Sequence, residues 1–204
     1  MIERLLTFES GSFDPFENLA IEQHLLETVG GGCCLFYLWQ NQNTVVIGKN
    51  QNPYSECRVS LLEAEGGHLA RRLSGGGAVF HDLGNLNFTF LVPTADYDLA
   101  KQQRVLLTAC QSFGIPAEFS GRNDLLADGR KFSGNAFYQG SGRDEAPESG
   151  GLPSRRRCNR GPAPGISQAQ NGGAYALCGS MRFFVSPRRT RIQYTQYSIA
   201  GGFS

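Results

Sequence analysis

A glycine-rich stretch lies near the middle of the chain. Residues 71–85 read RRLSGGGAVFHDLGN. Three consecutive glycines remove every Cβ, so backbone N–H groups can approach a ligand closely and the backbone can adopt positive φ. Inward-pointing N–H groups make an anion-binding concavity, and a neighbouring guanidinium suits a phosphate. Two interpretations stay open: an ordinary tight turn between strands, or a cradle for a phosphate.

The residues around the glycines narrow the choice of motif. Arg71 and Arg72 precede them on a predicted strand, so their side chains should point to opposite faces and only one can face the loop. No Lys-Ser/Thr follows, as in a Walker A loop, and no G-x-G-x-x-G opens a helix. His81 and Asp82 form either an acid–base pair or, as we favour, a pair that fixes the loop by hydrogen bonds.

Composition describes a soluble globular protein. The chain has 204 residues, of which 40% are hydrophobic and 18% charged. The net charge of +1 argues against a nucleic-acid binder, and no apolar run approaches the roughly 20 residues of a membrane span. The acidic N-terminus does not resemble a signal peptide, so we expect a cytoplasmic protein. The six cysteines include no C-x-x-C pair, which disfavours a zinc site.

The average charge hides a division of the chain near Gly140. Residues 1–140 contain ten Lys+Arg and fifteen Asp+Glu, a balance of −5. Residues 141–204 contain nine arginines, no lysine and three acids, a balance of +6, with ten glycines and five prolines. We therefore place a boundary near Gly140, between a domain over 1–140 and an aberrant or disordered tail over 141–204, whose few apolar residues cannot offset chain entropy.

The first 140 residues alternate helices and strands irregularly. Asp14 should cap a helix that starts at Pro15. Its predicted apolar face comprises Phe16, Leu19, Ala20, Leu25 and Leu26. CCLFYLWQ, TVVIG and LNFTFLV are predicted strands. A second helix should end at Gly114 and present Val105, Leu106, Ala109 and Phe113, and Asp128-Gly129 should make a hairpin turn. This order predicts an α+β domain with a mixed, largely antiparallel sheet packed with helices.

A second polar constellation lies in residues 121–138, which read GRNDLLADGRKFSGNAFY. Lys131 is one of three lysines in the chain, and as a point charge it can bridge a carboxylate and a phosphate. Asp124 can hold Mg²⁺ through its oxygens. Read alone, Lys131 is equally a solvated hairpin charge and Asp124 a turn cap.

Taken together, the two segments resemble the lipoate–protein ligase A family of the biotin/lipoate ligase superfamily. SFDPFENLAIEQHLL, LFYLWQNQNTVVIGKNQNPYSEC and RRLSGGGAVFHD occur in that family's order and spacing. The resemblance covers about residues 5–140. It implies the catalytic-domain fold of the superfamily, incomplete at the C-terminus.

The resemblance also implies an activity and its partners. Lipoate and ATP, with Mg²⁺, would give lipoyl-AMP and pyrophosphate. The lipoyl group would then pass to a lysine of a lipoyl carrier domain, such as a 2-oxoacid dehydrogenase E2 or the glycine cleavage H protein. No nucleic acid or membrane is expected as a partner, and a separate chain can carry the accessory domain that this sequence lacks.

The implied site residues fall into three groups. Lys131 would be catalytic. Residues implied in binding ATP and lipoyl-AMP are Arg72, Gly75, Gly76, Gly77, Ala78, Val79, Phe80, Asn123, Asp124 and Lys131, with Asp124 also implied as the Mg²⁺ ligand. Those implied in the lipoyl pocket are Trp39, Arg72, His81 and Gly134.

Two alternatives remain. An octanoyl- or lipoyltransferase of the same superfamily would work through a cysteine thioester, but no cysteine stands in a matching motif. The other alternative is an inactive, truncated binding remnant. The family's His-His-Gly-Thr-Leu and Tyr-Leu-x-Pro segments are missing after Tyr138, so we expect the strands that close the sheet and the pocket to be absent, a sheet edge to be exposed and the chain to fold poorly alone.

A frameshift would explain the tail. Ile166 to Gly172, read one base out of frame, can encode Tyr-Leu-Lys-Pro-Lys-Met. Reading the gene tests this, and a divergent, natively disordered tail is the alternative.

Overall fold

The computed structural model describes residues 1–121, 124–140 and 173–182. The helices in these ranges are α1 (Pro15–Thr28), α2 (Pro53–Glu56), α3 (Val59–Ala64) and α4 (Leu99–Ser112), with a 3₁₀ turn over Thr94–Asp96. The strands are β1 (Arg4–Glu9), β2 (Cys33–Trp39), β3 (Thr44–Ile47), β4 (His68–Arg71), β5 (Val79–His81), β6 (Asn85–Pro93), β7 (Ala117–Ser120), β8 (Asp124–Ala127), β9 (Arg130–Gln139) and β10 (Ala174–Arg182).

The strands of the described ranges form two sheets. The larger has seven strands in the order β1-β2-β6-β10-β9-β8-β7, and the smaller has three in the order β4-β3-β5. Only β1–β2 and β3–β4 pair in parallel; every other pairing is antiparallel. The prediction of a mixed, largely antiparallel sheet is confirmed.

Helix α1 begins as predicted but buries a different face. The Asp14 carboxylate accepts hydrogen bonds from the Phe16 and Glu17 N–H groups at 2.7 and 3.3 Å. The buried positions, however, are Pro15, Asn18, Glu22 and Leu26, whereas Phe16 and Ala20 are exposed and Leu19 and Leu25 are half-buried. The predicted apolar face is therefore wrong in part, because the surface beneath the helix contains polar partners for Asn18 and Glu22.

Helix α4 covers one face of the large sheet, and α1 covers the other. Leu106 and Cys110 of α4 pack against a cluster with Phe88, Phe90 and Leu177. The predicted contact surface of α4 is partly wrong, because only Leu106 of the predicted set is buried, together with Gln102 and Cys110. Val105, Ala109 and Phe113 face solvent, because α4 has more apolar residues than positions that contact the sheet.

Strand β10 lies inside the sheet although its residues belong to the predicted tail. It pairs antiparallel with β6 on one side and with β9 on the other. The expectation that the strands closing the sheet are absent is therefore wrong for Ala174–Arg182, since the apolar run AYALC was hidden by the average composition of the tail. The edges of the sheet are β1 and β7, and every residue of β1 is exposed. Residues 141–172 and 183–204, which include the segment of the frameshift hypothesis, lie outside the described residues.

The small sheet positions the glycine-rich stretch. β4 delivers Arg71 and Arg72 to one end of the stretch, and β5 begins at Val79 at the other end. Because both strands pair with β3, the residues between them close a loop over its end. Leu73 packs this loop against a cluster that contains Trp39 and Tyr138 on the α1 face of the large sheet.

Among the helices of the described residues, none combines the length and the apolar character that crossing a bilayer requires.

A leucine in β10 tests whether this strand belongs to the core. Leu177 is fully buried, so we expect Leu177→Ala to lower the free energy of unfolding by about 2–5 kcal/mol, from lost burial and the cavity left behind. Leu61→Ala is the control, because Leu61 is half exposed on α3. Urea unfolding of both variants measures the effect. Equal losses would show that β10 does not contribute to the core.

Candidate active site

The glycine loop, residues 73–78, is folded around the guanidinium of Arg72. Arg72 Nε and Nη2 donate to the Gly75 carbonyl at 3.1 and 2.8 Å, and Nη2 also donates to the Gly77 carbonyl at 2.7 Å. Nη1 donates to the Val46 carbonyl at 3.2 Å. These four bonds use four of the five N–H groups of an arginine. In this conformation Arg72 therefore shapes the loop, and its predicted bidentate contact with a phosphate would require the loop to rearrange.

The carbonyls of Gly75 and Gly77 point toward Arg72, and the N–H groups of the loop remain available. Within the described residues, the N–H groups of Gly75, Gly76 and Gly77 donate to no other group. Gly76 has a φ of +95°, and a Cβ there would lie 2.8 Å from Arg72 Nη2. The glycines thus serve both interpretations of the sequence: they permit the turn, and they present backbone donors that an anion can accept.

A second loop, residues 48–52, supports the glycine loop. A Cβ on Gly48 would lie 2.2 Å from the Gly76 carbonyl oxygen, so only glycine allows the two backbones to approach this closely. The Lys49 N–H donates to the Ser74 carbonyl at 2.9 Å. Arg71 Nη1 donates to the carbonyls of Gly48, Lys49 and Gln51. The two arginines therefore hold two neighbouring loops, one each.

Lys131 projects over a glycine on β9. Its Nζ lies 2.8 Å from Asp124 Oδ1, and both side chains are about one-third exposed. A Cβ on Gly134 would lie 3.3–3.4 Å from the end of the Lys131 side chain. Gly134 thus leaves room for an ammonium group held by a carboxylate against the surface of the sheet. Asn123, which was predicted beside Asp124, lies outside the described residues.

The register of the large sheet connects Asp124, which was predicted to bind ATP, with Trp39, which was predicted to line the lipoyl pocket. Directly opposed residues on neighbouring strands share a face. One such row, the site row, crosses five strands through Asp124, Gly134, Ser180, Asn87 and Trp39. At a strand spacing of about 4.8 Å, its two ends are separated by about 19 Å. Lys131 stands at one end of this row and the indole of Trp39 at the other, with Ser180 of β10 in the middle.

The Trp39 end of the row contains a buried carboxyl group. Trp39 Nε1 donates to Thr89 Oγ1 at 3.4 Å, and Thr89 Oγ1 donates to Glu22 Oε1 at 2.6 Å. Glu22 is only 5% exposed. Burial raises the pKa of Glu22 above its ordinary value, opposed in smaller measure by the hydrogen bonds of Thr89 and Cys178 and by the positive charge of Arg72.

His81 lies in an amide network at the same end. Its Nδ1 is 3.2 Å from Asn41 Nδ2 and 3.5 Å from Asn87 Nδ2, and its ring meets that of Trp39 edge to face at 6.0 Å. Since Asn41 Oδ1 accepts from Asn18 Nδ2 at 3.0 Å, Asn41 has its amino group left for His81. Nδ1 of His81 then accepts this hydrogen bond, as a neutral imidazole can, and the bond fixes the end of β5.

The remaining predicted residues follow the glycine loop into β5. Ala78 and Phe80 are half-buried and Val79 is exposed, so their backbone continues the loop toward the buried His81. Asp82 accepts a hydrogen bond from the Gly84 N–H at 2.9 Å, as expected for a residue that fixes the chain. In the described residues no group of three or more His, Cys, Asp or Glu is placed to hold a metal.

Sequence reasoning missed three residues of this surface. Glu22 was missed because the predicted apolar face of this helix did not include it, although it occupies the i−4 position relative to the apolar Leu26. Lys49 and Tyr138 were quoted in motifs but given no role. For Glu22 the usable signal was its spacing: it lies three or four residues from other positions of α1 that are buried.

The chain can now be compared with known proteins. Residues 14–143 match the family model of the lipoyl protein ligase A/B catalytic domain. The chain belongs to this family. Lipoate-protein ligase A of Psychrobacter cryohalolentis is 47% identical over 134 residues, which are 66% of this chain and 40% of that protein. That of Bdellovibrio bacteriovorus is 47% identical over 142 residues, 68% of this chain and 42% of that protein. The chain therefore spans about two fifths of the length of these curated relatives.

Solved structures of the family share the fold. LipL1 of P. falciparum, crystallised in complex with lipoate, has a TM-score of 0.66 at 26% identity, over 88% of this chain and 48% of that one. A bipartite lipoate protein ligase from Thermoplasma acidophilum, studied with its E2 lipoyl domain, has a TM-score of 0.64 at 23% identity, over 91% of this chain and 63% of that one.

The contact between the two loops can be tested with an alanine. Gly48→Ala places a methyl group against the Gly76 carbonyl oxygen, so we expect the free energy of unfolding to fall by about 1–3 kcal/mol as the backbone shifts. Gly75→Ala is the matched control, since a Cβ on Gly75 meets nothing within 4 Å. Urea unfolding of both variants measures the difference. A Gly48→Ala variant as stable as Gly75→Ala would show that the two loops do not touch.

The buried carboxyl of Glu22 should make stability depend on pH. Because burial raises its pKa in the folded state above the ordinary 4.5, the folded chain holds more protons than the unfolded chain above pH 4.5. The free energy of unfolding should then fall by up to about 1.4 kcal/mol per pH unit until the pH passes the folded-state pKa. Glu22→Gln keeps an acceptor for Thr89 and should remove this fall.

Glu17→Gln is the control for that experiment, because Glu17 is exposed on the same helix. Urea unfolding between pH 4.5 and 8 gives the slopes. Parallel curves for the wild type and Glu22→Gln would contradict a raised pKa at Glu22.

Proposed function

We propose that this chain carries the site of an ATP-dependent lipoate–protein ligase. It would activate lipoate to lipoyl-AMP and pass the lipoyl group to a lysine of a lipoyl carrier domain. The observation that carries the proposal is the site row, which joins an ammonium group beside Gly134 to an aromatic wall at Trp39. Family membership and the relatives named lipoate-protein ligase A support the same reaction.

The first half-reaction needs charge neutralisation more than it needs an enzyme nucleophile. A carboxylate oxygen of lipoate attacks the α-phosphorus of ATP; the new O–P bond forms as the bond to pyrophosphate breaks. Two anionic groups approach each other, so fixed cations and N–H donors lower the barrier. Lys131 would contact the carboxyl oxygen and the α-phosphate by exchanging its bond to Asp124, and the N–H groups of the glycine loop would hold the other phosphate oxygens.

The second half-reaction transfers the acyl group. The amine of the carrier lysine attacks the acyl carbon of lipoyl-AMP; the C–N bond forms, AMP leaves with the electrons of the C–O bond and the amine loses a proton. Trp39 and His81 would enclose the far end of the lipoyl chain, as expected from their place at the end of the row. LipL1 of P. falciparum, which the chain resembles at 26% identity, was crystallised with lipoate.

Magnesium would enter with the nucleotide. Mg²⁺ is commonly held by one or two carboxylates together with substrate phosphates, and Asp124 is a partly exposed carboxylate next to Lys131. When bound, the ion would neutralise phosphate charge. Asp124 therefore stays our predicted ligand, acting with the phosphates and not as part of a protein-only site.

The partners remain predictions as well. The carrier would be a lipoyl domain, and the Thermoplasma acidophilum ligase, described as bipartite and studied with its E2 lipoyl domain, supports both a carrier partner and a separate accessory chain. A cytoplasmic location is also a proposal, which rests on the sequence of the N-terminus.

A cysteine-dependent transferase is disfavoured by the environment of Cys178. Cys178 lies on β10 opposite Thr89, on the same face as the site row. Burial raises the pKa of its thiol well above the ordinary value, and the nearby Glu22 raises it further. A thiol held in its protonated form is a poor nucleophile, so Cys178 is unsuited to a thioester route.

ATP–pyrophosphate exchange tests the proposal. We expect lipoate-dependent exchange by the full chain and a loss of at least about 100-fold in Lys131→Ala, as for removal of one charge-stabilising group in an active site. Lys101→Ala is the control, since Lys101 is exposed on α4 and paired with Asp98 at 3.5 Å. Acyl transfer from a thioester donor without ATP would instead indicate a transferase. Lipoate binding without exchange would indicate a binding remnant.

A further inference from the structure

The cations predicted to meet the nucleotide already have partners. Arg72 donates four hydrogen bonds to carbonyls, and Lys131 is paired with Asp124. A nucleoside triphosphate carries charged oxygens on all three phosphates. Lys131 can neutralise those on the α-phosphate, where the reaction takes place. A further cation beside the glycine loop would complement the phosphates beyond that bond.

Lys49 occupies such a position. Its backbone is bonded to the glycine loop through Ser74, and its carbonyl is held by Arg71 at 3.0 Å. The neighbouring Gly48 touches the Gly76 carbonyl. The backbone from which the Lys49 side chain extends is thus fixed against the donors of the glycine loop, while the side chain itself is exposed.

The ammonium group of Lys49 lies over the same face of β9 as Lys131. Its Nζ is 5.9 Å from the centre of the Tyr138 ring. Gly134, beneath Lys131, and Tyr138 are four residues apart on β9 and so share a face, at a separation of about 13 Å. Leu73 of the glycine loop packs in the same cluster as Tyr138. The two lysines thus stand at different points along one strand, next to one phosphate-binding loop.

We propose that Lys49 binds the β- and γ-phosphates of the nucleotide, the part that leaves as pyrophosphate. This inference rests on the proposed function. As the bond between the α-phosphorus and its bridging oxygen breaks, the electron pair stays on the pyrophosphate oxygen, and the Lys49 ammonium neutralises that charge. Before the nucleotide binds, the Tyr138 ring holds the ammonium by a weak cation–π contact, which a phosphate readily replaces.

Calorimetric titration of the full chain with pyrophosphate and with AMP tests this role. We expect Lys49→Gln to raise the Kd for pyrophosphate about 10-fold, equivalent to about 1.4 kcal/mol, and to leave the Kd for AMP unchanged. Lys49→Arg, which keeps the charge, should bind pyrophosphate nearly as the wild type does. Lys101→Gln is the matched control and should change neither constant. In the exchange assay, Lys49→Gln should raise the KM for ATP with the KM for lipoate unchanged.

The outcomes separate this inference from the proposed function. An unchanged Kd for pyrophosphate in Lys49→Gln, with or without a lower melting temperature, would overturn the inference and show that Lys49 only packs on Tyr138. An equal loss of AMP and pyrophosphate binding would overturn it in favour of general damage to the loop. If pyrophosphate binding depends on Lys49 but the wild type shows no lipoate-dependent exchange, the inference stands and the proposed ligase function fails.

Discussion

The site depends on one cation, the guanidinium of Arg72, around which the glycine loop is folded. The Arg72 guanidinium is held within hydrogen-bond distance of the Gly75, Gly77 and Val46 carbonyls, and burial lowers its pKa. Carbonyl partners compensate the loss of water around a buried charge. The same bonds turn the Gly75 and Gly77 carbonyls toward Arg72, while the N–H groups of Gly75–Gly77 remain available for an anion. Without this side chain the Gly75 and Gly77 carbonyls would lose the donor that they share, on the side of the loop next to Gly48.

The second constraint is the continuity of the large sheet. The distance between Lys131 and Trp39 is set by the strands between them, and β10 contributes one of those strands. A gap at β10 would separate β9 from β6 and break the site row at Ser180. Buried polar groups at the Trp39 end, such as Glu22 and His81, are costly to bury unless paired. Glu22 is paired with Thr89, and His81 with Asn41.

Local chemistry made much of the fold predictable. Asp14 caps α1 because its carboxylate reaches the first N–H groups of the helix, Gly114 ends α4 with a φ of +71°, and Asp128 and Gly129 turn the hairpin with φ values of +50° and +70°. The glycine loop and Lys131 were also proposed as site residues from the sequence, because a run of glycines and one of only three lysines are easy to recognise there.

What could not be predicted depends on long-range contacts. The burial of Glu22 follows from the position of Thr89 on a distant strand, and the four carbonyl bonds of Arg72 follow from the closure of the loop. The place of β10 depends on its pairing with β6 and β9. The strand was not predicted because the residues around it are rich in glycine, proline and arginine. The two arginines were expected to divide between the site and the opposite face; each instead clamps a different loop.

The most direct test of the account is a crystal structure of the chain with a non-hydrolysable lipoyl-adenylate analogue. We expect the group that replaces the phosphate to accept hydrogen bonds from the N–H groups of Gly75–Gly77 and from Lys131, which will have left Asp124. The lipoyl chain should run along the site row toward Trp39. An analogue bound elsewhere, or Lys131 still paired with Asp124 and out of reach of that group, would contradict the account.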